Sequence, residues 1–161
     1  MTITERLLPI LARPILEVDR ARAAVLVLDW AGCAVAGHRE SAGKKMAAAF
    51  GSESGSCSRI GVSKSSPLMA ALHNGALGNV LEMDDIHRSS ILHPGPVVIP
   101  TALALAERCD SSMEVFLDAV IWGYEITIRL GESIGRSHYK FVHNTATCAT
   151  FGAALAASKI L

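Results

Sequence analysis

The sequence predicts an all-α fold, a multi-helix bundle, on three grounds. Apolar residues recur at helical spacing over long windows. The clearest are Val18, Ala21, Val25, Leu28, Gly32 and Val35, and later Met113, Phe116, Leu117, Val120, Ile121, Tyr124 and Ile128. Helix start signals precede such windows: Ser66-Pro67 sets serine at an N-cap and proline at the first helical position, and Ser111 with Glu114 reads as a capping box. Finally, almost no segment alternates with period two, the mark of a half-buried strand.

The bulk numbers narrow the class. A chain of 161 residues fits one helical domain, residues 1–161. Half the residues are hydrophobic and 19% are charged, with a mean hydropathy of +0.35. Such a surface calls for cover by another subunit or segment. Formal net charge is zero with no basic or acidic block, so nucleic acid and anionic membranes find no support as partners. The most apolar run, residues 23–37, is interrupted by Asp29 and is too short to span a bilayer. The start Met-Thr-Ile-Thr-Glu-Arg lacks the basic and apolar regions of a signal peptide, so a cytoplasmic setting is expected. Cys33, Cys57, Cys109 and Cys148 are widely spaced and read as free thiols.

In chain order, residues 1–16 read as a fragmentary helix broken by Pro9 and Pro14. Asp19 is the expected N-cap of a helix over about 20–37, with Arg22 and Asp29 on the face away from the apolar one. Ser41 caps a short alanine-rich helix ending at Gly51. Residues 51–66 are a Gly/Ser-rich connection within one domain, with an extended piece at Arg59–Val62. The helix from Pro67 runs to about Met83, thinned by Ala70, Ala71, Gly75, Ala76 and Gly78, with Asn74 and Asn79 as buried polar residues. His93-Pro94-Gly95-Pro96 is expected to be non-helical, and Pro100 to restart a helix reaching Arg108. The next helix keeps polar residues to a stripe of Asp118, Glu125, Arg129 and Glu132, pairs Glu125 with Arg129, and ends at Gly131 and Gly135. A polar loop, 136–144, leads to a last helix from about Thr145.

Chemistry concentrates in two places. Residues 82–93 hold three carboxylates, two histidines and an arginine between apolar helices: Glu82, Asp84, Asp85, His87, Arg88 and His93. A polar cluster so placed is held in a cleft or at a hydrated helix end. If the helix persists, Glu82 and Asp85 share a face. The second place is His143-Asn144-Thr145, directly before a helix start, where backbone N–H groups and the helix dipole attract anions. There His143 either packs the turn or serves as a base, with Arg136 and Lys140 adding positive charge upstream. A metal set of Asp84, Asp85, His87 and His93 matches no strong ligand spacing. No phosphate loop or nucleophile elbow occurs.

The order of several short motifs resembles the MmgE/PrpD family over roughly residues 15–161. They are Asn74-Gly75-Ala76-Leu77 into Leu81-Glu82-Met83-Asp84-Asp85, His93-Pro94-Gly95-Pro96 running through Pro100-Thr101-Ala102 to Glu107, Gly123-Tyr124-Glu125 with Arg129-Leu130-Gly131, and His143-Asn144-Thr145-Ala146-Thr147 into Phe151-Gly152. The resemblance implies a metal-independent lyase or isomerase of small di- and tricarboxylates, with no cofactor, working by proton transfer next to a carboxylate. It implies a large all-α domain plus a smaller lid domain, assembled as a dimer.

Carried onto this sequence, the resemblance makes His143 the general acid/base, with His93 and Glu82 as its catalytic companions. Asp84, Asp85, Ile86, Arg88, Lys140 and Thr145 would bind or orient the substrate. Glu82 stands where many members have aspartate, and Ile86 where some have threonine. The loop from Ile86 to His93 is one residue longer than in the decarboxylases. These departures argue against standard cis-aconitate decarboxylation and put 2-methylcitrate-type dehydration foremost. The family site also uses a lysine and lid residues further along. The expectation is therefore an incomplete helical domain without the lid, inactive alone, paired with a second copy or a complementing chain. The rival expectation is a non-catalytic helical chain that dimerises or binds a partner through exposed apolar faces.

Overall fold

A computed structural model describes residues 2–50 and 53–161. Among them are seven α-helices and no strand: α1 (Ile3–Leu11), α2 (Glu17–Arg39), α3 (Ser41–Ala49), α4 (Pro67–Asn79), α5 (Gly95–Cys109), α6 (Met113–Tyr139) and α7 (Asn144–Ile160). The fold is all-α, as the periodicity predicts. No described helix is long and apolar enough to cross a membrane. All four cysteines are free thiols.

Helix α5 is the axis of the bundle, with α4, α7, α6 and α2 packed around it. Trp30 of α2, Leu77 of α4, Val98 and Ile99 of α5, and Phe116 and Val120 of α6 meet in the core. Each such side chain stabilises the fold by roughly 1.5–3 kcal/mol on burial. Arg20 ties α2 to α6, its Nε 2.7 Å from Asp118 and its Nη2 2.9 Å from Glu114. That hydrogen bond to Asp118 holds the guanidinium pKa above its ordinary value.

Two close helix approaches depend on glycine. Pro100 has no N–H to give the Pro96 carbonyl four residues back. That carbonyl faces α4 at Gly75, where a Cβ would stand only 2.6 Å away. Likewise α6 and α7 meet backbone to backbone. A Cβ on Gly152 would lie 2.5 Å from the Gly123 carbonyl and collide with Thr127 Oγ1.

Several boundaries differ from expectation, each for a local reason. The α2 N-cap is Leu16, and Asp19 caps from inside the first turn, accepting from the Leu16 N–H at 2.9 Å. Helix α3 ends at Ala49; Gly51, expected to end it, lies outside the described residues. In α6 the cap is Ser112, which accepts from the Val115 N–H at 3.3 Å, because Arg20 draws Glu114 away from the helix start. Helix α5 begins at Gly95, ahead of Pro100, since Pro96 falls in its first turn, where a proline forfeits no helical hydrogen bond. Helix α4 stops at Asn79 rather than Met83: Glu82 takes φ +51°, a left-handed conformation, so Glu82 and Asp85 do not share a helical face. Helix α6 continues past Gly131, kinks at Gly135 (φ +67°), and makes one more turn where a polar loop was expected.

Residues 59–62 form a turn rather than an extended piece, closed by the Cys57–Ser65 bridge. Asn74 pins this turn, donating to the Ser58 carbonyl at 2.8 Å and accepting from the Ile60 N–H at 2.9 Å. Helix α2 departs most. Its buried face is Ala23, Trp30, Ala34 and Gly37. The stripe through Val18, Val25, Leu28 and Val35 points outward, with Leu28 73% exposed. Arg22 and Asp29 are also exposed and flank that stripe instead of opposing it.

Candidate functional site

The site grows from the end of α4. Once Glu82 breaks the helix, the next turn folds Asp84 inward until its side chain is fully buried. Asn79, in the last turn of α4, donates to Asp84 Oδ1 at 3.1 Å. The other oxygen, Oδ2, lies 2.9 Å from His93 Nδ1, and neither atom has another partner. A buried carboxylate with one oxygen fixed and the other against an imidazole orients that ring, favouring the tautomer with its proton on Nδ1 and Nε2 free.

Asp85 serves α5. Its Oδ1 accepts from the Gly95 N–H at 3.1 Å, capping a helix whose own N-cap residue, Pro94, makes no side-chain cap bond. From α6 the buried Tyr124 hydroxyl faces the same carboxylate and has no other partner. Burial pushes the Asp85 carboxyl up, against the opposing pull of Tyr124 and the Gly95 amide. Burial first, and the Asp85 charge second, push the Tyr124 phenol far above its ordinary range.

Between Asp85 and His93 the chain forms a tight hairpin. The His87 N–H donates to the Leu92 carbonyl at 2.9 Å, and Ile91 takes φ +52° at the turn. His87 Nδ1 lies 2.8 Å from Ser90 Oγ, inside the hairpin. Arg88 lies in the turn, exposed. The start of α7 is clamped onto this hairpin at two points. Buried Asn144 donates to the Ser90 carbonyl at 2.7 Å, and the His93 N–H donates to Thr145 Oγ1 at 3.0 Å. His143, the α7 N-cap residue, thereby faces the same cavity as His93. It makes no side-chain cap hydrogen bond and its ring leans on Tyr139, with centroids 5.7 Å apart.

These elements line an open cavity of about 670 Å³ between α4, α5 and the start of α7, with Met46 of α3 at its side. Glu82, His93, His143 and Thr145 line it, together with Asn79. Its walls are apolar, including Leu72, Val80 and Val97. Asp84 stands behind His93. Of the other sequence candidates, Asp85 is engaged with α5, while Ile86, Arg88 and Lys140 are exposed and do not line the cavity. Among the described residues no group of three His, Cys, Asp or Glu side chains is placed to hold a metal ion. The quartet of Asp84, Asp85, His87 and His93 is divided among different partners.

Three positioning residues are not among the site residues that the sequence assigns. Asn79 reads there as a hydrogen-bonding polar residue of an apolar helix that could touch a substrate, and Asn144 as part of the His143-Asn144-Thr145 motif. Tyr124 lay in an apolar helical pattern, where its hydroxyl was the one sign that a polar partner waited in the core.

The chain matches the MmgE/PrpD N-terminal domain over residues 14–161. It belongs to the MmgE/PrpD family. A cis-aconitate decarboxylase of Aspergillus terreus is 34% identical over 153 residues, covering 87% of this chain and 31% of that protein. A cis-aconitate decarboxylase-like protein, oryM, of Aspergillus oryzae is 31% identical over 123 residues, covering 70% of this chain and 26% of its own length. The chain thus spans less than a third of the length of these curated relatives.

Proposed function

We propose that the cavity binds a small di- or tricarboxylate and that this chain contributes two histidines of a lyase site acting by proton transfer next to a carboxylate. The observation that carries the reading is the convergence of His93, His143, Glu82 and Thr145 on one apolar-walled cavity at a helix N-terminus. The unpaired N–H groups of the first turn of α7 attract a carboxylate, aided by the helix dipole. Binding there sets the adjacent carbon beside His143, which takes its proton. His93, held through Nδ1 by Asp84, presents Nε2 to the far side of the substrate. In dehydration His143 returns that proton to the departing hydroxyl, so that one water and one carbon–carbon double bond form, while the His93 Nε2 lone pair accepts a hydrogen bond from the substrate. Glu82, at the cavity edge, accepts from the substrate hydroxyl.

Dehydration is our first assignment, because the longer hairpin before His93 departs from the decarboxylase pattern. Decarboxylation, the activity in the relatives' names, is the alternative reaction. Release of carbon dioxide rather than water from a turned-over polycarboxylate would decide for it. On its own the 161-residue chain binds without turnover. Titration calorimetry with citrate, 2-methylcitrate and cis-aconitate tests the reading. Saturable binding that disappears in His143→Ala supports it; a folded chain that binds none of the three overturns it. The second reading, a non-catalytic helical chain that recruits a partner, has the outward apolar stripe of α2 in its favour.

A further inference from the structure

The cavity is a trough with two unlike ends. Helix α4 supplies one wall, and α5 runs antiparallel beside it: Gly75 meets Pro96 and Pro100, and Ala70 clusters with Ala104. The polar lining therefore gathers where α4 ends and α5 begins, at Asn79, Glu82, His93, His143 and Thr145. Toward the start of α4 the lining is Ala76, Leu72, Ala71 and Leu68, flanked by Val97 and Thr101 of α5. Thr101 brings no hydroxyl donor to this end, since its Oγ1 donates to the Val97 carbonyl at 2.8 Å. Among the described residues, Glu82 and the two histidines are the only ionisable side chains in the lining. Leu68 and Leu72 are 75% and 49% exposed, so packing within the bundle does not account for them.

Length and chemistry select the ligand. Along α4, Leu72 lies about 10 Å from Asn79, and Leu68 lies one turn beyond it, about 16 Å away. A compact tricarboxylate held at the α7 N-terminus fills the polar end alone, and the trough continues past it. A further carboxylate or hydroxyl directed along the trough would lose hydration and meet no partner there. An alkyl group in the same place covers Leu72 and Leu68 and gains from leaving water. The apolar end is continuous with the polar one, so a single molecule can occupy both.

We propose that the substrate's polycarboxylate head carries an alkyl chain of several carbons, which lies along α4 against Leu72 and Leu68. The inference rests on the polycarboxylate site proposed above and names the member of that class the site prefers. Titration calorimetry of the full 161-residue chain with citrate and with 2-methyl-, 2-propyl- and 2-pentylcitrate tests it. Affinity is expected to rise roughly two- to fourfold per added methylene, so that the pentyl compound binds at least about tenfold more tightly than the methyl one. Leu72→Gln and Leu68→Gln, at exposed positions and with helical circular dichroism as the check on folding, bring the pentyl-to-methyl ratio toward one. His143→Ala abolishes binding of the pentyl compound along with the rest. Affinity that stays flat or falls with chain length overturns the inference and leaves the polycarboxylate site standing; the trough would then belong to a protein segment. A chain-length gain that persists in both leucine variants, or a pentyl compound bound as tightly without His143, overturns it as well. Binding of none of the four compounds by the folded chain overturns both readings.

Discussion

Replacing His143 by serine sets stability against binding at a single residue. His143 occupies the N-cap of α7 but gives no side-chain hydrogen bond to the helix. The N–H groups of Asn144, Thr145 and Ala146 have no carbonyl four residues back within α7. The first intrahelical bond of this turn is the one from the Thr147 N–H to the His143 carbonyl, at 3.3 Å. A serine hydroxyl would accept from Thr145 or Ala146, and N-caps of this kind stabilise by about 1 kcal/mol. The imidazole is exposed and touches chiefly the Tyr139 ring, so its loss offsets only a few tenths of that gain. For a chain of this size the net gain raises Tm by about 2–3 °C. The same N–H groups are the donors assigned to the substrate carboxylate. Occupying one of them, and removing the base, should weaken polycarboxylate binding at least about tenfold. Thermal unfolding followed by circular dichroism, with calorimetry on the same sample, reads both effects. An unchanged or lower Tm with full helix content would refute the reasoning, because those N–H groups would then already be satisfied.

Four further outcomes are expected. Asn144→Ala should cost about 1–2 kcal/mol in urea unfolding, since it strands the buried Ser90 carbonyl while removing an Asn144 Oδ1 that already lacks a partner. His73 makes stability fall with acid. Burial, then the charges of Arg59 and His38, hold its pKa below the ordinary value, against the pull of the Ile60 carbonyl. Between that lowered pKa and about 6.5 only the unfolded chain takes up the proton, so stability drops as pH falls through this window. His73→Gln should flatten that part of the pH curve in denaturant titrations. Asp85 acts in the opposite direction. Its raised pKa means the native state holds the extra proton from about pH 4 upward, so stability declines as pH rises through that window, and Asp85→Asn removes the decline. Gly152→Ala should cost about 3 kcal/mol or prevent folding, because its Cβ meets Thr127 and the Gly123 carbonyl on a neighbouring backbone. A Tm within 2 °C of wild type, roughly half a kilocalorie, would contradict that packing.

The sequence by itself determined the helices and the family. Helical periodicity and cap residues are local properties, so Ser66-Pro67 marked the start of α4 and the Glu125–Arg129 pair formed as spaced. Motif order carried the family. It also singled out Glu82, His93 and His143, which the fold brings to the lining of one cavity.

Tertiary structure decided which way each face turns and which groups meet. The α2 pattern is apolar on two opposite sides, and periodicity cannot say which one the core takes. Packing chose the side with Trp30, because Gly78 of α4 leaves room beneath its indole. Arg20 diverted Glu114 from its cap because Asp118 lies one helical turn further along α6, a meeting of residues about 98 positions apart. Likewise Arg88 and Lys140 lay close in sequence to the two histidines, yet the hairpin and the α6–α7 turn carry them outward. His93 and His143 share a cavity because Asn144 and Thr145 bind the hairpin. Hydrogen bonds made across 50 or more residues leave no period in a sequence.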